Sequence, residues 1–269
     1  HYNPSPGFPD VRERIAAEVA STRGISVTGE TVVHTPGGKP IMFFTIMALV
    51  DHGDDVLYPD PGFPIYQSMI RFVGGNPVPM KLLESNDFNI DLDEVARQVT
   101  PATRLMIINS PNNPCGSTLS KDDLRALADL AREHDIMVLS DEIYGRFTSE
   151  GEHHSVVSFP GMHDRTIILD GFSKTYAMTG WRVGYGVMPL DLVEPISRLV
   201  TNSVSCTASF TQMAVMEAMN GPQEEAYEIV AEFKKRRDMI VDGLNRIPGI
   251  RCAMPKGAFY VFPSVVDTG

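Results

Sequence analysis

The feature that most constrains this chain is a regular alternation of short strand-type runs with longer helix-type runs. The strand-type runs are rich in Val, Ile and Leu, and the segments between them carry apolar residues at helical spacing. Strands that alternate with helices are typical of βαβ units. The pattern therefore predicts an α/β fold with a mostly parallel sheet flanked by helices. The predicted strands are 31–33, 55–58, 105–108, 136–139, 166–169 and 182–187, and the predicted helices are 9–23, 39–50, 63–73 and 121–134.

The pattern changes after about Pro189, where long helix-type segments replace the alternation. These segments cover 190–200, 207–219 and 224–247, and β-type runs follow at 251–253 and 259–262. We expect a large domain in residues 1–240 and the start of a smaller α/β domain in residues 241–269. Because the sequence stops soon after its last β-type run, we expect that smaller domain to be incomplete.

Composition excludes several classes of protein. The 269-residue chain has a formal net charge of −11, which argues against nonspecific binding to nucleic acid or to anionic membranes. Its longest apolar run, 41–50, is too short to span a bilayer, and the polar, proline-rich N-terminus predicts no secretory signal. Cys115, Cys206 and Cys252 are widely spaced, which fits neither a disulfide framework nor a zinc site. We therefore expect a cytoplasmic protein that holds no metal.

Residues suited to ligand binding follow four of the predicted strands. In chain order they are Gly37, Asn113, Asp141 and Lys174. In a parallel sheet, ligands bind at the carboxyl ends of the strands. The sequence therefore predicts that these four residues meet at one edge of the sheet and form a binding site there.

Lys174 lies in the segment Gly-Phe-Ser-Lys-Thr-Tyr and is followed by Met-Thr-Gly-Trp-Arg-Val-Gly-Tyr at 178–185. A lysine forms a Schiff base when its amine can lose a proton, although an isolated lysine is usually a solvated surface charge. Here a serine-containing turn leads into the lysine, and Arg182, within Gly-x-Arg-x-Gly, follows eight residues later. This combination resembles the lysine signature of class I aminotransferases, which use pyridoxal phosphate (PLP). The resemblance extends over nearly the whole chain.

The resemblance implies the large domain of PLP-transferase fold type I, with Lys174 holding PLP as a Schiff base, the internal aldimine. Arg182 would bind the cofactor phosphate through two parallel hydrogen bonds, and a surface ion pair is its other interpretation. Gly37, Gly38 and Lys39 join a predicted strand to a predicted helix, where free N–H groups cradle a phosphate or simply form a turn. In the family the equivalent stretch binds the phosphate, and Lys39 would contribute mainly its backbone N–H.

Asp141 lies in Leu-Ser-Asp-Glu-Ile-Tyr at 139–144. A carboxylate keeps the PLP ring nitrogen protonated, whereas an aspartate at a strand end can also cap a helix. The resemblance assigns Asp141 to the ring nitrogen in preference to Glu142, because adjacent side chains point in different directions. It also implies that Tyr144 donates a hydrogen bond to the phenolic oxygen of the cofactor. Asn113, in a turn-type sequence, would bind the same oxygen.

Two aromatic residues match family positions beside the cofactor. Phe63 matches the ring that stacks on PLP, although an aromatic residue that opens a helix is more often part of the core. Tyr2 matches a tyrosine that reaches the phosphate of the neighbouring subunit, although an N-terminal tyrosine is by default a surface residue. We therefore expect a homodimer with shared active sites. We also predict a cis Asn113–Pro114 peptide, because a tight turn that aims Asn113 at the ring would use one.

The sequence departs from the family pattern at two positions. Gly171 stands three residues before the lysine, where a serine usually contacts the phosphate, and Ser173 would compensate. Cys115 stands where threonine is commonest, and we assign it no catalytic role. The family's chains also extend beyond both ends of this sequence. We expect those segments to carry the glycine loop over the substrate and the arginine that pairs with its α-carboxylate.

The reaction implied by the resemblance is PLP-dependent transamination between an amino acid and a 2-oxo acid. Lys174 would act as general base, with Asp141 and Tyr144 as its catalytic partners. Aspartate and aromatic amino acids are the most prevalent donors in the family. A PLP-dependent lyase or synthase of the same fold, such as a carbon–sulfur lyase, is the alternative. A transcription regulator would need a basic DNA-binding module, and a nonenzymatic binding protein would not need Lys174, Asp141 and Arg182 together.

Overall fold

One sheet of seven strands forms the centre of the computed structural model, which describes residues 2–269. The strands are β1 (Val32–Thr35), β2 (Asp55–Asp60), β3 (Asn76–Lys81), β4 (Thr103–Asn109), β5 (Met137–Asp141), β6 (Thr166–Gly171) and β7 (Gly184–Val187). Their spatial order is β1-β7-β6-β5-β4-β2-β3. Strands β2 to β6 pair in parallel, and β7 is antiparallel to both of its neighbours, β1 and β6. The predicted α/β fold with a mostly parallel sheet is therefore confirmed.

Helices cover both faces of the sheet. They are α1 (Pro9–Arg23), α2 (Lys39–Leu49), α3 (Ile65–Phe72), α4 (Leu92–Gln98), α5 (Lys121–Glu133), α6 (Phe172–Thr175), α7 (Leu190–Ser203), α8 (Ser209–Asn220) and α9 (Glu224–Asn245). Helices α2, α3 and α7 pack on one face, against strand residues such as Ile107 and Leu139. Helices α1, α4, α5 and α8 pack on the other, against residues such as Met106 and Val138. Because side chains alternate along a strand, this two-sided burial explains why the strand sequences are apolar at nearly every position.

Strand β3 was not predicted from the sequence. Its segment, Asn-Pro-Val-Pro-Met-Lys, contains Pro77 and Pro79, which lack the N–H group that a central strand needs. The strand lies at the edge of the sheet and pairs only with β2. An edge position tolerates proline because one side of the strand needs no ladder hydrogen bonds. The two prolines therefore argued against a strand in the sequence, although they are compatible with this one.

The β-type runs at 251–253 and 259–262 do not form strands, so that prediction was wrong. Within residues 2–269 the last segment makes only isolated bridges, between Arg251 and Ser264 and between Gly257 and Thr148. An extended segment becomes a strand only when a neighbouring strand satisfies its N–H and C=O groups. Here the aromatic residues pack instead in a small cluster, in which Phe259 and Tyr260 contact Tyr144.

Two further expectations can be compared directly with the structure. The Asn113–Pro114 peptide is cis, as predicted, and the peptides before Pro61 and Pro111 are also cis. Across residues 2–269, no helix has both the length and the apolar character that crossing a membrane requires.

Candidate active site

The carboxyl ends of the parallel strands enclose a cavity of about 370 Å³. Strands β1, β4, β5 and β6 run in the same direction, so the loops that follow them meet at one edge of the sheet. Most of the predicted site residues line this cavity. They are Gly38, Lys39, Phe63, Asn113, Asp141, Tyr144, Ser173, Lys174 and Arg182.

Lys174 lies on the short helix α6, directly after β6, and is partly buried. Its Nζ atom is 5.6 Å from the ring centroid of Tyr144 and 5.4 Å from that of Phe259. Burial lowers the pKa of Lys174, and the positive charges of Arg182 and Lys39 lower it further, against the opposing charge of Asp141. The environment therefore favours the neutral amine, which is the nucleophilic form.

Asp141 is the last residue of β5 and is buried. Its carboxylate accepts hydrogen bonds from the Tyr66 hydroxyl at 2.8 Å and from the N–H group of Ile143 at 3.3 Å. Burial raises the pKa of Asp141 to about 6, although these two hydrogen bonds oppose the rise. A buried carboxylate of this kind gains most from a cationic partner inside the cavity, such as a protonated ring nitrogen.

Tyr66 is a site residue that the sequence analysis missed. It lies on α3, three residues after Phe63, and its ring is fully buried in contact with that ring at 6.1 Å between centroids. A helix predicted over 63–73 would have placed the two aromatic residues on one face, which was a usable signal, although in the structure the helix begins only at Ile65. The hydroxyl group of Tyr66 fixes the carboxylate of Asp141, which sequence spacing alone could not reveal.

Tyr144 occupies the wall of the cavity between Lys174 and the C-terminal segment. Its hydroxyl group is 2.5 Å from that of Tyr260, and burial raises its pKa. Asn113 lies on the same side, where its N–H group donates to Asn109 Oδ1 at 2.8 Å. Tyr260 was also missed by the sequence analysis, since an aromatic run carries no signal for a site 116 residues away.

The glycines after β1 form a close junction with Arg182. Gly37 has a φ of +82°, and a Cβ atom there would lie 2.3 Å from Arg182 Nη2. Gly184, on β7, approaches the same turn so closely that a Cβ would lie 2.5 Å from the Gly38 nitrogen. Gly38 is also the N-cap of α2, in which Pro40 has no N–H group and the Ile41 N–H group donates to the Gly38 carbonyl oxygen at 3.1 Å, so Gly38 and Lys39 supply the N–H groups at this helix end. The junction thus combines a helix N-terminus with a guanidinium group.

This end of the cavity is suited to a phosphate. Arg182 Nη1 donates to the carbonyl oxygen of Thr179 at 2.8 Å, and its other nitrogens have no protein partner within residues 2–269. Lys39 Nζ lies 5.2 Å from the ring centroid of Phe63, which forms the adjoining wall. A helix N-terminus with a free guanidinium group binds a phosphate dianion well.

Gly171 departs from the family pattern for a reason that the structure supplies. A Cβ atom at Gly171 would lie 3.0 Å from the Gly184 Cα atom and 3.3 Å from the Val183 carbonyl oxygen. The backbones of β6 and β7 therefore approach too closely for a side chain to fit without a shift. Ser173, the predicted substitute, lines the cavity beside Lys174.

Tyr2 does not line the cavity of its own chain. Its side chain is 89% exposed, whereas the next residue is anchored through Asn3 Nδ2 to the Thr207 carbonyl oxygen at 2.8 Å and to Ser209 Oγ at 3.0 Å. The Asn3 side chain is thus tied to α8 and the segment before it, while the Tyr2 side chain is exposed to solvent. Among residues 2–269, no group of His, Cys, Asp and Glu side chains could hold a metal ion.

The residues of the cavity fit PLP. A phosphate site, a partly buried lysine amine and a buried carboxylate lie around one space, and Phe63 supplies an aromatic wall. The fold and this set of residues together define a PLP-dependent enzyme of fold type I.

Comparison with known proteins identifies the family. Residues 1–267 match the family described as "Aminotransferase class I and II". The aromatic-amino-acid aminotransferase 2 of Thermococcus litoralis is 38% identical over 273 residues, which cover 100% of this chain and 70% of that protein. The aspartate aminotransferase of Pyrococcus abyssi is 38% identical over 275 residues, or 70% of its length. The chain belongs to the class I and II aminotransferases.

Solved structures agree with this assignment. The aromatic aminotransferase of Pyrococcus horikoshii OT3 superposes with a TM-score of 0.95 at 36% identity, covering 98% of this chain and 71% of that one. The aspartate aminotransferase of Rhizobium meliloti superposes with a TM-score of 0.95 at 32% identity, covering 99% and 68%. The protein is therefore a PLP-dependent aminotransferase, which transfers an amino group between an amino acid and a 2-oxo acid. The alternative of a lyase or synthase is not favoured.

Proposed function

We propose that Lys174 is the residue that carries PLP and then moves the proton during transamination. The single observation behind this proposal is that the amine of Lys174, the Asp141 carboxylate and the Arg182 guanidinium group surround one cavity. Bound PLP supplies an electron sink that acidifies the α-carbon of the substrate. The free amine of Lys174 would take the α-proton of the substrate as general base and would later give it up as general acid.

The other residues of the cavity would bind and orient the cofactor. Asp141 would hold a proton on the ring nitrogen, and the Tyr66 hydroxyl group keeps the Asp141 carboxylate in place. Tyr144 and Asn113 would donate hydrogen bonds to the phenolic oxygen, and Phe63 would supply an aromatic wall for the ring. Gly37, Gly38, Lys39, Ser173 and Arg182 would hold the phosphate.

We further propose that the amino donor is aspartate or an aromatic amino acid. The support is that similar proteins are named aspartate aminotransferase and aromatic-amino-acid aminotransferase. A screen of amino donors against one 2-oxo acid acceptor, followed through oxo-acid formation, tests this proposal.

The experiment that tests Lys174 is chemical trapping. Borohydride reduction of the holoenzyme, followed by peptide mass analysis, should place the cofactor label on Lys174. Lys174→Ala should abolish the label, whereas the matched variant Lys39→Ala should retain it, because Lys39 is proposed to act mainly through its backbone. A label on any other lysine would contradict the proposal.

We propose a homodimer in which Tyr2 reaches the cofactor phosphate of the partner. The exposure of Tyr2, next to a firmly anchored Asn3, supports this arrangement. The test mixes Tyr2→Ala with Lys174→Ala to form heterodimers. If the site is shared, one of the two sites regains both residues, and activity recovers well above that of either variant. Heterodimers without such recovery would contradict the shared site.

We also propose a cytoplasmic location. The cysteines, which are free in the structure, support a reducing compartment.

We propose a large domain at 1–240 and the start of a smaller one at 241–269. This division puts the domain boundary inside α9. Limited proteolysis of the holoenzyme would test it, since cleavage near the end of α9 is expected if the boundary is correct.

A further inference from the structure

A cluster of buried charges lies behind the active-site cavity, on the opposite face of β5 and β6. Asp141 shares the face of Leu139, whereas Ser140 and Glu142 point to the other face because side chains alternate along a strand. Helix α1 packs on that second face and ends there with Arg23. The cluster is therefore separated from the cavity only by the backbone of the two strands.

Glu142 is the centre of this cluster and is 2% exposed. Its Oε2 atom accepts hydrogen bonds from Arg23 Nε at 3.0 Å and His153 Nε2 at 3.1 Å. Its Oε1 atom accepts from Ser140 Oγ at 2.8 Å and also from the hydroxyl of Ser155. Burial alone would raise the pKa of Glu142, but Arg23, His153 and Ser155 lower it to about 2. The carboxylate is therefore ionised at neutral pH.

Arg23 connects Glu142 to the neighbouring strand. Its Nη2 atom donates to Asp170 Oδ2 at 2.9 Å, and the Arg23 side chain is only 9% exposed. Asp170 also accepts a hydrogen bond from the Tyr185 hydroxyl at 3.3 Å, and its other oxygen accepts from the Gly171 N–H group at 2.7 Å. One guanidinium group thus bridges a carboxylate that follows β5 and a carboxylate near the end of β6.

The two bridged carboxylates are close in sequence to residues of the candidate active site. Glu142 directly follows Asp141, and Asp170 precedes Lys174 by four residues. The last ladder pair of the two strands is Asp141 with Leu169, and one more backbone hydrogen bond follows it, from the Glu142 N–H group to the Leu169 carbonyl oxygen at 2.8 Å. Beyond that bond, the two ion pairs of Arg23 link the side chains at the two strand ends. A cavity of about 170 Å³ adjoins this region and is lined in part by Arg23, His153 and Asp170.

We propose that Arg23 is a positioning residue: by bridging Glu142 and Asp170, it fixes the end of β5 against the end of β6, which leads into Lys174, and so holds Asp141 and Lys174 at their working separation. The proposal rests on the roles of Asp141 and Lys174 proposed above. Asp141 and Lys174 contact the cofactor, whereas Arg23 acts on them through the backbone and through its charge. The charged groups that act on Lys174 directly are Arg182, Asp141 and Lys39, and the titratable ring of Tyr144 lies 5.6 Å from its Nζ atom.

The test follows the absorbance of the bound cofactor against pH, together with kcat and KM. Arg23→Met removes a cation behind the cavity, so the pH midpoint of the absorbance change should rise by about half a unit or more. Glu142→Gln removes an anion, so its midpoint should move in the opposite direction. For Arg23→Met, kcat should fall about tenfold or more while KM changes less, because orientation and not substrate binding is disturbed.

Arg12 supplies the matched control. It lies on the same helix and donates to the carbonyl oxygens of Val32 and Glu30, away from both strand ends. Arg12→Met should leave the midpoint and kcat near wild type. If both Arg23→Met and Glu142→Gln show the wild-type midpoint, or if both shift it in the same direction, the proposal is overturned.

A second variant covers the case in which Arg23→Met does not fold. Arg23→Lys keeps the charge but loses the planar fork that reaches both carboxylates. Its midpoint should stay near wild type while kcat falls about threefold or more, and a wild-type kcat would overturn the proposal. If borohydride reduction of the wild-type enzyme left no cofactor label on Lys174, the proposed role of Lys174 would be wrong. That result differs from the kinetic results that would overturn the role of Arg23, so the two proposals can fail separately.

Discussion

Individual residues in this site owe their chemistry to their surroundings. Asp141 and Glu142 are adjacent in sequence and both buried, yet their pKa values move in opposite directions. Burial raises the pKa of Asp141 to about 6, whereas Arg23, His153 and Ser155 lower the pKa of Glu142 to about 2. The difference arises because the two side chains lie on opposite faces of the sheet. One faces the cavity with neutral donors, and the other faces a guanidinium group.

At this scale we predict that Asp141→Asn retains cofactor binding but lowers kcat by about a hundredfold or more. An amide has nearly the same shape but cannot hold a proton on the ring nitrogen. Absorbance titration with PLP and steady-state kinetics measure the two effects. The control is Asp91→Asn, because Asp91 is an exposed helix N-cap far from the cavity and asparagine also caps well. A variant with near-normal kcat would assign the role to another residue.

The junction of β1 with α2 shows how elements create a binding site. The strand ends at Thr35, the helix begins at Lys39, and the short turn between them can pass Arg182 only because Gly37 lacks a side chain. The positive φ of Gly37 and the close approach of the guanidinium group are two separate reasons for glycine at this position.

We predict that Gly37→Ala weakens PLP binding about tenfold or more, because the added methyl group displaces Arg182 from its position beside the turn. Gly53→Ala is the matched control. Gly53 has a φ of +93° but no neighbouring atom within 4 Å of an added Cβ, so it reports the backbone strain alone. Both variants should lose some thermal stability, but only Gly37→Ala should lose cofactor affinity. Equal PLP affinities in the two variants would contradict the prediction.

The molecule as a whole contains a buried histidine that links its stability to pH. His34, on β1, is fully buried, and neither ring nitrogen has a hydrogen-bond partner within residues 2–269. Burial, with a contribution from the charge of Arg12, lowers the pKa of His34 from 6.5 to about 3. The unfolded chain therefore binds a proton as the pH falls below 6.5, whereas the folded chain does not do so until about 3. Stability must decrease over that interval.

We predict that His34 costs the folded state about 2 kcal/mol between pH 7 and pH 5. His34→Phe should remove this part of the pH dependence, measured as the free energy of unfolding in urea without added cofactor. His134→Phe, at an exposed helix end, is the control. Asp141 contributes with the opposite sign, because its raised pKa makes protonation favour the folded state, so the difference between wild type and variant isolates His34. Parallel pH profiles for the two proteins would contradict the prediction.

The sequence by itself determined the fold class and most of the residues that come together in the candidate site. Local signals were sufficient because strand and helix periodicity depend on neighbouring residues, and because the eight-residue spacing of Lys174 and Arg182 reflects one continuous stretch of chain. Parallel strands then bring their carboxyl ends together without further information. Most of the predicted residues accordingly line one cavity.

Only the tertiary structure decided which distant side chains support that site. Tyr66, Tyr260 and Arg23 reach their partners across 75, 116 and 119 residues of sequence, and no local pattern encodes such contacts. The same limit explains the two errors in the strands, because pairing depends on the neighbour that a segment meets. The prolines of β3 were tolerated at an edge, and the run at 259–262 found no strand beside it and packed its aromatic rings instead.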